Sequence, residues 1–151
     1  MRVINSFRGN YDFLSNFFVG APIVYGKNVW LTSEHYYQSM KTTDTENKWK
    51  ILMSETPKEA ARIGRSIEIR KDWDNIKVGV MRVALDLKFS QHEKYKEYLI
   101  QTEGYKLVEG NWWHDNFWGT CTCKECKDKE KLNTLGNILM DIREELVETN
   151  G

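Results

Sequence analysis

The chain has 151 residues, enough for one domain whose core needs no disulfides to hold it together. Its 22 basic and 22 acidic side chains balance, which argues against a protein that coats nucleic acid through general charge. It has no apolar run of about 18 residues that could span a membrane, and its N-terminus lacks the apolar core of a secretory signal. We therefore expect one cytoplasmic domain over residues 1–151 that contacts no membrane.

The aromatic stretch at residues 7–18 has no clean period, and its Gly, Asn, Asp and Ser residues favour turns. A loop this rich in aromatic rings must dock on the rest of the protein, so some of its apolar side chains are expected to fill the core. Asn16 is the polar side chain of interest among these rings.

Two short apolar segments in residues 23–31 flank a Gly-Lys-Asn turn and predict a β-hairpin that leads into a helix. The helix is predicted from LTSEHYYQSMK, with Thr32 or Ser33 as N-cap and Glu34 in the first turn. Its helical period places four side chains on one polar and aromatic face: Glu34, Tyr37, Gln38 and Lys41. Such a face is either solvated or directed into a pocket, and these residues alone favour a surface helix whose Glu34 complements the helix dipole.

The rest of the chain predicts short elements and two longer amphipathic helices. We expect short helices at residues 44–54, 57–64 and 93–101, and strands at residues 67–70 and 106–109. Pro57 suits a first helical position and Gly64 a helix end. Apolar residues at steps of three and four predict a core helix at residues 72–89, capped by Asp72, and a second helix at residues 132–146.

Lys77 lies one helical turn from both Trp73 and Met81, at the edge of the apolar stripe of the 72–89 helix. A lysine in such a place usually extends its amine to solvent along an apolar surface. If the amine points inward instead, its loss of hydration makes it a nucleophile or a base. The sequence leaves both interpretations open.

The segment WWHDNFWG, residues 112–119, surrounds His114 and Asp115 with aromatic rings, and Gly119 permits a tight turn. A carboxylate among tryptophans is costly unless it has partners. Two roles for Asp115 therefore stay open. It caps a turn in a loop that fills the core, or it belongs to a functional site.

The three cysteines, Cys121, Cys123 and Cys126, form the motif Cys-x-Cys-x2-Cys. An odd number suits a reducing compartment better than a disulfide framework. With His114 they have the ligand types of a Cys3His zinc site. A fourth ligand is not assured, and the many lysines nearby favour an ordinary exposed loop, so we expect no metal and no cofactor.

Several runs of the chain stand in a distinctive order: YDFLSNFF, YGKNVWLTSEHYYQSMK, RKDWDNIKVGVMRVALDLKFSQH, KLVE, HDNFWG and LNTLGNILMDIREEL. Three specific motifs are combined here, namely SEHYYQ, DWD followed by Lys77 and Met81, and the D-x-x-W-G turn. Over residues 7–146 the chain resembles the YbiA/NADAR family of N-glycosidases. The resemblance implies a compact, helix-rich α+β fold with a small antiparallel sheet.

The resemblance also implies hydrolysis of an N-glycosidic bond to ribose. Members of this family free a ribose phosphate from early riboflavin-pathway intermediates or remove ADP-ribose from modified guanine. A nucleotide-like or ADP-ribosylated substrate is therefore expected, and ADP-ribosylated nucleic acid is included in that class. Where some relatives carry a glycine-rich loop, this chain has TCTCKECKDKEK, so the sequence leaves the substrate open, as it does the oligomeric state.

Three residues that the resemblance carries over are candidates for catalysis. Cleavage of a ribosyl C–N bond passes through an oxocarbenium-like state that needs nearby negative charge and help for the leaving nitrogen. Glu34 and Asp115 could divide these roles, or the Lys77 amine could attack C1′ and form a Schiff base. The enzyme hypothesis predicts that these three side chains line one cleft walled by Trp73 and Trp118.

The resemblance also carries over candidate substrate-binding residues. Trp73 and Trp118 are predicted to stack on the base, Asn16 to lie in the site, and Lys41 to contact phosphate, a role that Arg8 also suits. Two other functions remain open. One is a module that binds a nucleotide or ADP-ribose without turnover and needs no catalytic carboxylate, and the other is a structural protein whose aromatic rings are all core.

Overall fold

The computed structural model describes residues 2–150 and folds them into six helices, six short strands and two single 3₁₀ turns. The helices are α1 (Ser33–Ser39), α2 (Thr45–Leu52), α3 (Pro57–Ser66), α4 (Trp73–Gln91), α5 (Glu93–Gln101) and α6 (Thr134–Asn150). The strands are β1 (Arg2–Ile4), β2 (Ile23–Tyr25), β3 (Asn28–Trp30), β4 (Tyr105–Leu107), β5 (Gly110–Asn111) and β6 (Thr120–Cys121). The 3₁₀ turns span Gly9–Leu14 and Lys124–Cys126.

The described chain forms two compact units. The central unit is Asn16–Glu93, and it holds the β2–β3 hairpin and α1 to α4. The terminal unit joins the residues up to Ser15 to those from Lys94 onward. It holds β1, β4, β5, β6, both 3₁₀ turns and α6, together with nearly all of α5. The expectation of a single domain stays a prediction.

The predicted hairpin is confirmed in the central unit. Strands β2 and β3 pair antiparallel with Val24 opposite Val29, and Gly26 takes a φ of 60° in the turn between them. A positive φ is easily adopted by glycine because it has no Cβ. The paired residues Ile23 and Trp30 are both buried and begin the core of this unit.

Helix α1 is enclosed by α2, α3 and α4, and all seven of its residues are buried. Thr32 is its N-cap, because the Thr32 side chain accepts a hydrogen bond from the His35 backbone N–H at 3.1 Å. The predicted helix and cap are confirmed. The interpretation of α1 as a surface helix is wrong, because three other helices cover the face that its polar sequence suggested was solvated.

Two predicted boundaries near α3 are also wrong. Gly64 does not end α3, which continues to Ser66. A Cβ built on Gly64 would lie 1.9 Å from Gln38 Oε1, so the glycine permits close approach of α1 to α3. Residues 67–70 form no strand, because the Arg70 N–H donates to the Lys41 carbonyl at 2.7 Å instead of to another strand.

The long helix α4 begins at Trp73, as the apolar period predicts, and it ends at Gln91. Asp72 stands at the N-cap position, but its side chain makes no capping hydrogen bond. The Asp72 carboxylate instead accepts a hydrogen bond from the Arg70 guanidinium at 2.6 Å, so an ion pair takes the place of the predicted cap. This pairing holds the pKa of Asp72 below its usual value.

The terminal unit is organised around two parallel strand pairs and α6. Strand β1 pairs with β4 so that Ile4 stands opposite Leu107, and β5 pairs with β6. Asn133 links β4 to the start of α6, because its Nδ2 donates to the Leu107 carbonyl at 2.9 Å and its Oδ1 accepts the Glu109 N–H at 3.0 Å. Leu139 of α6 is fully buried, as expected for a helix docked on the core.

The structure confirms a helix-rich α+β fold. Among the described residues the strands form three two-stranded pairs, of which β2–β3 is antiparallel and the other two are parallel. In the part of the chain that the structure describes, no helix has the length and apolar character needed to cross a membrane.

Candidate active site

Helix α1 places one carboxylate inside the central unit. The Glu34 side chain is only 8% exposed, and the Gln38 amide, one helical turn later, donates from Nε2 to Glu34 Oε2 at 3.1 Å. The Glu34 backbone N–H donates to the Asn16 carbonyl at 3.2 Å. The carboxylate is therefore held from both its backbone and its side chain, as a preorganised catalytic group must be.

Asn16 joins the start of α1 to α4. Its Oδ1 accepts a hydrogen bond from Ser33 Oγ at 2.7 Å, and its Nδ2 contacts Met81 Sδ at 3.3 Å. Asn16 is itself buried, so these contacts position the first turn of α1. Direct contact between Asn16 and a substrate stays a prediction.

Aromatic and cationic side chains continue the same face of α1. The Tyr37 ring lies 5.1 Å from the Trp73 ring of α4, tilted by 60°, and the Lys41 amine lies 5.7 Å from the centre of the Tyr37 ring. Trp73 is 6% exposed, so the structure shows it as a packing partner of Tyr37. Its stacking on a substrate base stays a prediction.

Several charges converge on Lys41. Burial is the largest influence and lowers the pKa of Lys41 below its usual value, while the nearby Glu34 carboxylate opposes this shift. The positive charges of Arg65 and Lys77 lower the pKa of Lys41 further. The Glu34 carboxylate of α1, Lys41 just after α1, Arg65 of α3 and Lys77 of α4 therefore form one electrostatic cluster.

Lys77 has contacts that fit both of its predicted roles. Its amine lies 3.3 Å from the carboxylate of the exposed Asp74, which is the solvent-directed ion pair expected of a lysine at a helix edge. The Lys77 side chain is nonetheless only 24% exposed, and its charge acts on Lys41. The choice between an extended surface lysine and a nucleophile remains open.

The terminal unit holds a second group of candidate residues. The Arg8 guanidinium lies over the Trp112 ring, 4.2 Å from its centre, in cation–π geometry. Asp115 Oδ1 accepts the backbone N–H groups of Phe117 at 3.1 Å and of Trp118 at 2.9 Å. Asp115 thus caps the turn of the D-x-x-W-G motif, so its structural role is observed and its catalytic role stays a prediction.

Glu109 is a candidate that the sequence reasoning missed. Burial is the main cause that raises the pKa of Glu109 to about 7; the Asn111 amide opposes it, the Asp115 charge adds to it, and the Arg8 charge counteracts it. A Cβ on Gly119 would lie 1.8 Å from Glu109 Oε2, so the glycine permits this close approach. The sequence did carry one sign of this burial. Side chains two positions apart in an extended segment point to the same side, and Glu109 lies two positions after the buried Leu107.

The cysteine segment also differs from its expectation. Thr122, Lys124 and Glu125 are exposed, as expected of a surface loop, but Cys121 and Cys126 are buried. His114 Nδ1 and the three cysteine sulfurs all lie within 4.8 Å of one another, because the chain turns back through the 3₁₀ turn at Lys124–Cys126. The fourth ligand that the sequence could not assure is therefore present.

The structure groups the predicted residues unit by unit. The central unit brings together Asn16, Glu34, Lys41, Trp73 and Lys77, and the terminal unit holds Arg8, Asp115 and Trp118. A single cleft shared by Glu34, Lys77 and Asp115 would join both units, and it stays a prediction. A cavity of about 900 Å³ at α2 and α3 has none of these described residues in its lining.

Comparisons with known proteins address the family directly. The NADAR domain family matches residues 5–147. Over 148 residues the chain is 38% identical to N-glycosidase YbiA of Shigella flexneri serotype 5b, covering 95% of this chain and 88% of the relative. It is also 38% identical over 141 residues to a riboflavin biosynthesis protein of Vibrio vulnificus, covering 92% of this chain and 36% of that protein.

A solved structure agrees with these sequence matches. The NMR structure of the Escherichia coli protein YbiA is similar to this fold, with a TM-score of 0.84 and 37% sequence identity. The similarity covers 99% of this chain and 87% of the other. The predicted family, fold class and reaction class are confirmed. The chain belongs to the NADAR family, and the N-glycosidases that it resembles over nearly its whole length indicate a hydrolase of N-glycosyl bonds.

Proposed function

We propose that this protein hydrolyses the N-glycosidic bond of an early riboflavin-pathway intermediate that carries a ribose phosphate on nitrogen. The observation that carries the proposal is the buried Glu34 carboxylate, which is held by Gln38 beside a cluster of basic side chains. The similarity to a protein named for riboflavin biosynthesis supports the substrate class.

Glu34 supplies the negative charge that the reaction needs. As the C–N bond breaks, positive charge develops at C1′ and the ring oxygen of the ribose. A carboxylate in a buried, prearranged position stabilises that charge more strongly than one in water, and it needs no reorganisation during the reaction. The Gln38 hydrogen bond fixes the orientation of the carboxylate.

The basic cluster suits the phosphate of the substrate. The three cations Lys41, Arg65 and Lys77 outnumber the Glu34 carboxylate and the Asp74 carboxylate that pairs with Lys77, which leaves this group of side chains with net positive charge. Phosphate oxygens accept strong charge-assisted hydrogen bonds from lysine and arginine. A bound phosphate would reduce the mutual repulsion of these cations, so the substrate itself would complete the balance of charge.

Glu109 and Asp115 are the candidates for proton transfer. A carboxyl group with a pKa of about 7 is present both protonated and ionised near neutral pH, as a general acid or base requires. Glu109 meets that condition, while Asp115 contributes negative charge close to it. Protonation of the leaving nitrogen is the step for which we propose them.

A lysine mechanism is the second route to the same products. In it the Lys77 amine attacks C1′, and a Schiff base with the opened ribose is hydrolysed afterwards. Incubation with substrate and borohydride would reduce such an adduct and attach the sugar to Lys77, which mass spectrometry of peptides would locate. An active enzyme that yields no adduct would leave the carboxylate route.

The decisive experiment compares two substrates and two variants. The wild-type protein is incubated with riboflavin-pathway ribosylamine phosphates and, separately, with DNA that carries ADP-ribosylated guanine, and the released sugar is measured. Glu34→Gln should slow release by about 10²-fold or more. Glu59→Gln should leave release unchanged, because Glu59 lies in an exposed ion pair with Arg62.

Each outcome separates the hypotheses. Release of ribose phosphate from the first substrate alone supports the proposal. Release of ADP-ribose alone would show that the substrate class is wrong while the reaction class stands. Binding of either ligand without any release would favour a binding module that does not catalyse the reaction.

A further inference from the structure

The segment His114–Cys126 of the terminal unit gathers four metal-ligating atoms that the proposed reaction does not use. His114 Nδ1 lies 3.3 Å from Cys123 Sγ, 3.4 Å from Cys126 Sγ and 4.0 Å from Cys121 Sγ. All four ligand atoms lie within 4.8 Å of one another. None of the three cysteines is in a disulfide.

These distances match the edges of a tetrahedral zinc site. Zinc bonds of about 2.3 Å to sulfur and about 2.0–2.1 Å to nitrogen set the distance between a bound sulfur and a bound nitrogen at about 3.6 Å. The three observed distances from the histidine nitrogen, 3.3, 3.4 and 4.0 Å, lie on both sides of this value. A Zn²⁺ ion therefore fits between these side chains with only small adjustments.

Local hydrogen bonds hold the ligands in place. The Cys123 backbone N–H points at Cys121 Sγ at 3.5 Å, an arrangement that stabilises a thiolate. The Lys131 amine donates to the backbone carbonyls of Cys126 at 2.5 Å, Lys129 at 2.9 Å and Lys127 at 3.3 Å. These contacts close the segment around the thiols, so Lys131 has a role in ordering the loop.

The surroundings of His114 add independent support. Its backbone has a φ of 70°, in the left-handed region that residues other than glycine seldom adopt, and this conformation accompanies the approach of Nδ1 to the sulfurs. The opposite ring nitrogen, Nε2, lies 3.8 Å from the Glu125 carboxylate. A histidine that binds zinc usually donates its second N–H to a carboxylate, a backbone carbonyl or water, and Glu125 lies just beyond hydrogen-bond distance of that nitrogen.

We propose that His114, Cys121, Cys123 and Cys126 bind one structural Zn²⁺ ion. Three thiolates and one imidazole complete a four-coordinate site, which leaves no position for substrate and indicates a structural role. Soft sulfur ligands select zinc over magnesium or calcium. The ion would link both ends of the segment that contains Asp115 and Trp118, and thereby hold the turn that Asp115 caps.

Metal content and spectroscopy test the site without reference to activity. The full-length protein, purified without metal-affinity resin or chelators, should contain one zinc per chain by elemental analysis. Replacement with Co²⁺ should give the intense visible bands of a tetrahedral ion and a near-ultraviolet thiolate-to-cobalt charge-transfer band. Removal of zinc by a chelator should lower the melting temperature by about 5 °C or more, and added zinc should restore it.

Variants separate ligand loss from misfolding. Cys126 is fully buried, so Cys126→Ser could fail for reasons of packing alone. His114 is exposed, and His114→Gln should fold, bind zinc at least about tenfold more weakly and lose the chelator response. Lys124→Gln, on an exposed non-ligand of the same segment, should keep one zinc per chain, as should His92→Gln of the central unit.

Two results would overturn the proposal. One is substoichiometric zinc in the wild-type protein together with a melting temperature that chelators and added zinc leave unchanged. The other is an intact mass that shows a disulfide between two of these cysteines in protein purified under reducing conditions, since oxidised sulfurs cannot ligate zinc as thiolates.

Discussion

Helix α1 and the segment at residues 112–126 are both rich in polar and aromatic side chains, yet different contacts hold them. In α1, residues distant in sequence make the contacts. The Glu34 backbone N–H donates a hydrogen bond to the Asn16 carbonyl, and the Gln38 side chain packs on Gly64. In the other segment, the side chains of Asp115 and His114 contact near neighbours, while backbone carbonyls of residues 116–119 accept hydrogen bonds from residues 132–135. The Asp115 carboxylate accepts hydrogen bonds from backbone N–H groups two and three positions later, and the His114 ring lies near the sulfur of Cys126, twelve positions later.

The difference indicates how each region responds to substitution. Polar groups of α1 are buried in the middle of the central unit, so a change there disturbs helix packing or the charge of the cluster. The 112–126 segment forms turns at the surface of the terminal unit, and its Trp112 and Trp113 side chains are 58% and 50% exposed. Changes there should alter the local turn while the helices remain folded.

The largest expected effect is on turnover and concerns Glu34. Glu34→Gln preserves size and an oxygen that can accept the Gln38 hydrogen bond, while it removes the negative charge. We expect kcat to fall by about 10² or more, because charge stabilisation in the transition state is lost. Stability should change little by comparison, because the amide keeps the size of Glu34 and the lost attraction to Lys41 is offset by the lower cost of burying a neutral group.

Steady-state kinetics and thermal melting of the same preparation measure both effects. Glu59→Gln is the matched control, because Glu59 is also in a first helical turn but lies in an exposed ion pair. A folded Glu34→Gln protein with kcat within a few-fold of wild type would show that the central residue is wrongly assigned.

The next largest effect should be on stability and tests the packing of α1. Gly64→Ala places a Cβ 1.9 Å from Gln38 Oε1, so α1 and α3 must separate or the amide must move. We expect a loss of about 1–3 kcal/mol in the free energy of unfolding, measured by urea denaturation. Turnover should also fall, because Gln38 orients Glu34.

Gly79→Ala is a matched control for this substitution. Gly79 also lies inside a helix, α4, and a Cβ there meets no atom within 4 Å. This change should leave the protein equally stable or stabilise it by up to about 1 kcal/mol, since alanine favours a helix over glycine. Equal stability losses in both variants would contradict the inferred contact of α1 with α3.

A smaller effect should come from Asp115 and would reveal whether the terminal segment has only a local structural role. Asp115→Asn keeps an oxygen that can accept the N–H groups of Phe117 and Trp118, whereas Asp115→Ala removes it. We expect the alanine variant alone to lose about 1 kcal/mol of stability, as for a lost cap. If the charge acts in the reaction, both variants should lose turnover by about tenfold or more.

Urea denaturation and kcat of the two variants provide the measurement. A loss of kcat in Asp115→Ala that is absent in Asp115→Asn would assign Asp115 to the turn alone. In that case the catalytic carboxylates would have to be sought in Glu34 and Glu109.

A further effect should be a dependence of stability on pH caused by Glu109. Its folded pKa is about 7 against an ordinary value of 4.5, so between these values the folded state binds more protons than the unfolded state. Stability must then fall as pH rises through this window. Glu109→Gln removes the penalty, so the variant should gain stability relative to wild type when pH changes from about 4.5 to about 8.

Melting temperatures of both proteins at several pH values test this sign. A difference between wild type and Glu109→Gln that does not change with pH would show that Glu109 is not abnormally protonated. The pH profile of kcat offers a second readout, because the limb with a pKa of about 7 should disappear in the variant if Glu109 transfers the proton.

Local patterns predicted much of the fold. The Gly-Lys-Asn turn predicted the β2–β3 hairpin, Thr32 predicted the start of α1, and apolar spacing predicted α4 and α6. These features depend on backbone preferences and on side chains a few residues apart, so they can be predicted from the sequence alone. Helical spacing also placed Glu34 and Lys41 on one polar face, whereas their expected roles in the site came from family resemblance.

Tertiary packing decided the rest. Residues 67–70 alternate like a strand, yet Arg70 bonds the Lys41 carbonyl because α1 ends nearby. Gly64 lies inside α3 and does not end it. The absence of a side chain at Gly64 lets Gln38 pack against the helix. Glu109 was not singled out from the sequence, and its pKa of about 7 comes mainly from burial, to which the Asp115 charge adds.

The sequence by itself determined the family, the helix-rich class and the chemical types available for the site. Only the tertiary structure decided that the polar face of α1 is buried and that one histidine meets three cysteines. The physical reason is that propensity and periodicity act between near neighbours, whereas burial depends on which distant segments cover a side chain and remove its water. The burial of Glu34 and the raised pKa of Glu109 are both set by that second kind of contact.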